Sequence, residues 1–366
     1  MIPELPAHLR KMGGGQYIGY IIALFTFTAG LARPFSGKLT DTIGRVPVMA
    51  FGSIVCFICG FFYPIVLSIS GFLWLRFIHG MSTGTKPTAT SAYVADIIPV
   101  DRRGEAMGTL GLFTATGMSI GPSIGSWFTT SFGINSMFYL SSAFALLSIV
   151  ILANMKETLS VKQRFSFKLF ILKKDEFFEM EVIAPFLVCL LLSFGSGVVI
   201  TLIPDLGNSL GVANKGLFFT VYTVVSVVMR LFFSKSSDKY GRIFMLIIAS
   251  VFLVLGMLSL AFTHSIFMFF VSSLLFGVTA GLSMPNFQAW TADLSREENR
   301  GKAMGTMYIA LELGIGLGAY FGGELFNFFK NGMQIAFLLS ALFAFFSLLY
   351  LIRLKKRASI TLQQPN

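Results

Sequence analysis

Apolar residues run along this chain in long stretches, broken at intervals by short polar segments. Eleven stretches lie near or above the length of about 20 residues at which a helix crosses a bilayer. They fall near residues 16–36, 46–68, 71–97, 104–130, 135–154, 182–203, 215–234, 243–263, 265–292, 301–328 and 333–352. The pattern predicts eleven membrane-spanning helices joined by short turns, in an all-α chain.

Composition supports this. Of 366 residues, 55% are hydrophobic and 12% charged, against about 25% charged in soluble domains. So little charge cannot clothe a water-facing surface. The net charge of +11 could suggest a nucleic-acid partner, but the placement of the 28 Lys and Arg argues otherwise. Alternate loops (37–45, 98–105, 155–181, 235–242, 293–302) and the tail 353–366 hold 20 of them; the opposite loops hold only Arg10, Lys11, Lys215 and Lys330. Excess Lys and Arg mark the cytoplasmic side, so the surplus is a topology signal that puts the C-terminus inside. No nucleic-acid partner is expected. Cys56 and Cys59 form a C-x-x-C inside an apolar span without other ligands, which reads as packing rather than a metal site.

The polar punctuation is written twice. "RPFSGKLTDTIGR" at 33–45 returns as "RLFFSKSSDKYGR" at 230–242, and "ADIIPVDRRGEAMGT" at 95–109 as "ADLSREENRGKAMGT" at 292–306, both shifted by 197 positions. Gly80, Gly84, Gly117, Gly121 and Gly125 recur at the same shift as Gly277, Gly281, Gly314, Gly318 and Gly322. A duplicated membrane protein is expected to form two pseudo-symmetric helix bundles with the working site between them. The expected layout is a first bundle over 1–154, a loop over 155–181, a second bundle over 182–353 and a tail over 354–366. The second half opens with a span ending "LIPDL" (202–206), and the chain opens "MIPEL" (1–5). A further helix is therefore expected upstream of residue 1.

These motifs resemble the major facilitator superfamily. "GKLTDTIGR" (37–45) is similar to its signature loop, G-x-x-x-D-x-x-G-R. "RFIHGMSTG" (76–84) is similar to R-x-x-Q-G-x-x-x-G, with His79 where Gln is usual. "GTLGLFTATGMSIGPSIGS" (108–126) resembles the fifth-helix motif G-x8-G-x3-G-P-x-x-G-G, departing at Ser126. That motif is associated with exporters that exchange substrate for protons. The resemblance implies a transporter with eleven of a usual twelve spans, acting as a monomer in the bacterial inner membrane. It also implies that Asp41 and Arg45 make charge contacts with neighbouring helices that hold an inner gate shut. Asp96 and Asp293, ending two spans on the same side, are the natural partners.

In the repeated loop, Gly44 and Gly241 supply positive φ. Asp41 and Asp238 are expected just before helix starts, where a carboxylate favours the positive end of the dipole. Arg45 and Arg242 are expected at headgroup level, fixing topology. Gly37 is echoed only by Ser234. Gly104/Gly108 and Gly117/Gly121/Gly125 have the small-x-x-x-small spacing of close helix approach, with Pro122 as a hinge.

Charges inside spans carry the functional reading. Arg76, His79, Thr83, Lys86 and Thr90 fall on one arc of a single helix. A charge near the bilayer centre costs at least about 2.5–3.5 kcal/mol, so this stripe should face a watery cavity. Glu312 is the only carboxylate deep within a span, and Ala115 stands at its counterpart. It is a candidate to carry a proton or bind substrate, with Asn286, Gln288 and Trp290 as cavity-lining candidates. The 155–181 segment, basic and Phe-rich, is expected to form a short helix on the membrane surface, and the tail to be basic and then disordered.

The expected activity is proton-coupled efflux of a small, partly apolar molecule by alternating access, with a proton gradient as driving force and no cofactor. The alternatives are a proton-linked uptake symporter for an organic or sugar acid, a transporter-like sensor, or a non-functional fragment. No phosphate-binding loop or metal-ligand cluster is present, so no enzyme is expected.

Overall fold

Within a bilayer an open chain satisfies every main-chain N–H and C=O only as a helix. The computed structural model follows that constraint. It describes residues 4–14, 17–171, 177–212 and 216–361, and no strand occurs among them. A short helix, α1 (Leu5–Lys11), precedes eleven long ones. These are α2 (Ile18–Thr42), α3 (Arg45–Phe62), α4 (Ile69–Ile97), α5 (Arg103–Phe132), α6 (Ile134–Ala153), α7 (Ile183–Ser209), α8 (Gly216–Tyr240), α9 (Arg242–Ala261), α10 (Ile266–Leu294), α11 (Arg300–Phe328) and α12 (Gly332–Thr361). Each long helix covers one predicted stretch. By length and composition alone α3, α6, α7, α9, α10, α11 and α12 can cross a membrane. Within α8 the described run Leu217–Phe233 is also apolar but shorter.

The 197-residue shift pairs α2 with α8, α3 with α9, and so on to α6 with α12. It places α1 on residues 202–208, the end of α7. Equivalent contacts recur. A Cβ at Gly80 or Gly84 on α4 would run into the α2 carbonyls of Phe25 and Ala29; at Gly277 on α10 it would meet the α8 carbonyl of Tyr222 at 2.8 Å. Glycine here lets helix backbones touch.

The chain forms two compact units. One comprises Met1–Ile97, Thr116–Met180 and Ser295–Tyr308; the other comprises Ile98–Ala115, Glu181–Leu294 and Ile309–Asn366. The boundaries cut α5 and α11, so the starting turns of each pack with helices of the opposite repeat. In the first unit Leu5, Leu9, Ile21, Tyr63, Phe72 and Phe138 belong to one buried cluster. In the second, Met245, Ala249, Val278 and Leu282 form another. Phe27, Trp74, Phe144 and Leu349 stand exposed on the helix flanks, as a lipid-facing surface requires.

Two local expectations are corrected, and a further one lies partly outside the described residues. Residues 155–171 form no surface helix, while Phe177 is helical next to the undescribed residues 172–176. There is only a single tight turn at Phe167–Phe170 before residues 172–176, which lie outside the described residues. The segment's hydrogen bonds go elsewhere: Gln163 N donates to Thr42 O, and Lys38 Nζ to Ile171 O. In the tail, α12 continues as helix through the basic residues to Thr361; residues 362–366 are outside the described set. Third, Gly117 and Gly121 hold no helix close. A Cβ at either would meet nothing within 4 Å, whereas their counterparts Gly314 and Gly318 abut the α7 carbonyls of Leu190 and Phe194. Gly108 and Gly125 are buried, and α5 runs unbroken through Pro122, whose side chain is outside the described set.

Candidate functional site: two reciprocal charge clusters

Asp41 does not cap the helix that follows it. It sits in the last turn of α2, and its carboxylate accepts from Gly301 N and Lys302 N, both at 2.6 Å, at the start of α11. These N–H groups have no partner within the helix, and the dipole favours a carboxylate there. Gly37 permits the approach, since a Cβ on it would lie 2.9 Å from Lys302 Cα. The start of α3 is capped instead by Glu157, which accepts from Arg45 N at 2.9 Å and Val46 N at 3.0 Å. Gly44 makes the turn at φ 119°, and any side chain there would strike Glu157.

Arg45 is fully buried within the protein. It donates to Asp96 Oδ2 at 2.9 Å, Thr40 O at 2.8 Å, Asp41 Oδ1 at 3.2 Å and Glu297 O at 2.8 Å. Asp96 also pairs with Arg300 and accepts from Thr158 Oγ1 at 2.6 Å. Two carboxylates and two guanidinium groups make a neutral set, the condition under which buried charge is tolerable.

The second unit repeats the set residue for residue. Asp238, in the last turn of α8, accepts from Gly104 N at 2.8 Å and Glu105 N at 2.9 Å at the start of α5. Arg242, beginning α9 after Gly241 (φ 89°), pairs with Asp238 and with Asp293 at 3.0 Å, and donates to Val100 O at 3.0 Å. Arg103 completes it, 3.0 Å from Asp293. Residues 100, 103, 104 and 105 are 197 positions before 297, 300, 301 and 302. Each repeat's loop therefore holds the other repeat's helix. Arg300, Arg103 and the capped N–H groups were missed from sequence, although their signal was there: the R-G-x-A-M-G-T string is identical in both copies.

The polar stripe of α4 divides among its neighbours. Arg76 is buried, its Nε donating to Ile21 O at 3.0 Å and its guanidinium 4.4 Å from the Phe25 ring centroid on α2. His79 is buried against α3, 3.2 Å from Tyr63 Oη and 3.4 Å from Cys56 Sγ. These two groups are satisfied by helix packing, not by a watery cavity. Lys86 is half-buried and donates to Ser148 Oγ of α6 at 2.7 Å. Thr83 and Glu312 are likewise half-buried. Asn286 bonds to Ser237 and to Leu282 O, and Gln288 is buried beside it. Trp290 lines a shallow cleft with Tyr240, Arg242 and Lys355 at the basic-loop end of its unit, away from the midspan. Among the described residues no group of His, Cys, Asp and Glu is arranged to hold a metal.

Residues 2–188 and 185–365 each match the Major Facilitator Superfamily. Multidrug resistance protein 2 of Bacillus subtilis is 28% identical over 344 residues, covering 89% of this chain and 84% of that protein. The multi-drug resistance efflux pump PmrA of Streptococcus pneumoniae is 26% identical over 365 residues, covering 96% and 90%. Quinolone resistance protein NorA of Staphylococcus aureus is 24% identical over 343 residues, covering 89% and 85%. Among solved structures, the human organic anion transporter MFSD10 superposes with a TM-score of 0.79 at 18% identity, over 96% of this chain and 88% of that one. The proton:xylose symporter XylE gives 0.75 at 17%, over 94% and 87%. The duplicated helices, the reciprocal clusters and these matches agree: the chain belongs to the major facilitator superfamily of membrane transporters, and within it resembles the multidrug exporters.

Proposed function

We propose that this chain is a secondary active exporter that moves small, partly apolar molecules out of the cytoplasm in exchange for protons. The observation that carries the reading is the pair of reciprocal clusters. Each ties one repeat's helix start to the other repeat's loop through main-chain N–H groups and a neutral charge set. Contacts of this kind can be made and broken as a unit, which an alternating-access cycle needs and a fixed scaffold does not. The relatives' drug-resistance names support the substrate class, and the efflux-pump name of PmrA supports the direction. Glu312, half-buried in α11, is the proposed proton carrier, because a membrane-embedded carboxylate is a default functional position. Lys86, Thr83 and Gln288 are proposed along the pathway. The basic-loop side is taken as cytoplasmic, by the positive-inside asymmetry.

The test is ethidium efflux from proteoliposomes with an imposed pH gradient, comparing wild type with Glu312→Gln. Wild type should respond to the gradient and the variant should bind ethidium yet lose that response. Full gradient dependence in the variant would remove Glu312 from the proton path. No gradient dependence in wild type would remove proton exchange altogether.

A further inference from the structure

Arg33 and Arg230 are the one pair of intramembrane charges that the duplication preserves, and neither belongs to the clusters above. Each lies eight residues before its cluster aspartate on the same helix, so about 12 Å deeper at 1.5 Å per residue. Arg33 is only 2% exposed, and a charge at that depth needs a defined set of contacts. Its Nη1 donates to Thr88 Oγ1 at 3.1 Å, and its guanidinium lies 4.3 Å from the Tyr308 ring centroid. The Tyr308 hydroxyl in turn lies 3.1 Å from Ser91 Oγ, one turn along α4 from Thr88. Tyr308, two turns into α11, is thereby gripped by α2 through its ring and by α4 through its hydroxyl.

The other repeat cannot build this. The counterpart of Tyr308 is Gly111, and Arg230 donates to the Gly111 carbonyl at 2.5 Å and to Ala280 O at 3.3 Å. Pro285 stands where Thr88 does, and Gln288 where Ser91 does. One arginine meets a ring and hydroxyls; its echo meets main-chain carbonyls.

We propose that Tyr308 is a positioning residue and that Arg33, Tyr308, Ser91 and Thr88 form a second seal, deeper than the charge cluster and present in only one repeat. The two helix starts are then held by different contacts. Beyond its charge cluster, the start of α11 must break a stacked cation and a hydroxyl pair, and the start of α5 an arginine-to-carbonyl bond. This deepens the alternating-access reading and rests on it.

The experiment uses Thr40→Cys in a background with Cys56, Cys59 and Cys189 replaced by alanine. Thr40 is fully buried, and its side chain lies against Gly301, so a thiol there reacts with a water-soluble maleimide only when the start of α11 lifts. Labelling is read in inside-out vesicles. Tyr308→Phe removes the hydroxyl bond and keeps the ring, and should raise the labelling rate about fivefold. Tyr308→Leu removes both and should raise it about thirtyfold. Ser91→Ala should match Tyr308→Phe, and the Ser91→Ala/Tyr308→Phe double variant should exceed neither, because all three break one bond. Asp41→Ala is the positive control for lifting. If Tyr308→Phe and Tyr308→Leu label at the parental rate while Asp41→Ala labels faster, there is no second seal. Additive effects in the double variant overturn the bonded pair. Ethidium flux in the same vesicles reports separately: absent flux with the labelling changes intact sinks the exporter reading and leaves the seal standing.

Discussion

The carboxylate of Asp41 caps Gly301, 260 positions further along the chain, at 2.6 Å. The same carboxylate is held by Arg45, itself fully buried. Removing the carboxylate takes away a helix cap and leaves a guanidinium short of one partner. Asp41→Ala is expected to cost about 3–5 kcal/mol, the range for breaking one side of a buried pair. Asp41→Asn keeps the shape but halves the acceptor capacity and should fall between. The thermal midpoint in detergent reads the first, and ethidium efflux reads whether the cluster is also needed in turnover. Wild-type midpoints in both variants would sink the argument.

Arg45→Lys should behave like a deletion. Arg45 serves two carboxylates and two main-chain carbonyls in different directions, and a lysine ammonium has neither the reach nor the planar fork. Arg242→Lys should show the same loss in the second unit, where the partners are Asp238, Asp293, Val100 O and Ser237 Oγ. Retention of more than half the wild-type efflux by either lysine variant contradicts the hub role.

Three glycines of similar appearance should respond differently to alanine. At Gly37 the new methyl meets Lys302 Cα at 2.9 Å, and at Gly314 it meets Leu190 O at 2.6 Å. Both neighbours are backbone and cannot swing aside, so each substitution should cost about 1–3 kcal/mol. At Gly117 the methyl meets nothing, and the change in stability should stay within about 0.5 kcal/mol. The ranking is checked by detergent melting of the three variants side by side; Gly117→Ala as damaging as Gly37→Ala would refute the packing described.

Glu157 accepts four main-chain N–H groups: Arg45, Val46, Thr158 and Leu159. Glu157→Gln keeps one acceptor oxygen and loses the charge at the start of α3. A loss of about 1–2 kcal/mol is expected, the upper range for a helix cap. Limited proteolysis within 158–171 should accelerate, since the same side chain anchors that segment; an unchanged cleavage rate counts against it.

Much of the fold could be read directly. Apolar length located all eleven long helices, because a span must be apolar over a fixed distance whatever its neighbours do. The constant shift located the duplication, and the turn glycines Gly44 and Gly241 were recognisable because only glycine takes positive φ without strain. The surface helix expected over 155–181 does not form over residues 155–171. Composition there suits an amphipathic helix, but Glu157, Gln163 and Lys38 tie the segment to fixed points on α2 and α3, and those bonds compete with its own.

The amino-acid sequence by itself determined the positions of the eleven long helices and the twofold repetition. It did not determine whom Asp41 caps. Both copies carry the same R-G-x-A-M-G-T string, so Gly104 and Gly301 offer equivalent donors and local pattern cannot choose between them. Only the tertiary packing, in which α11 starts against α2 and α5 starts against α8, makes the choice reciprocal. The same packing buried Arg45 among four partners and satisfied Arg76 and His79 between helices. Burial is set by what lies across from a side chain, and that partner can be 16 or 252 residues away.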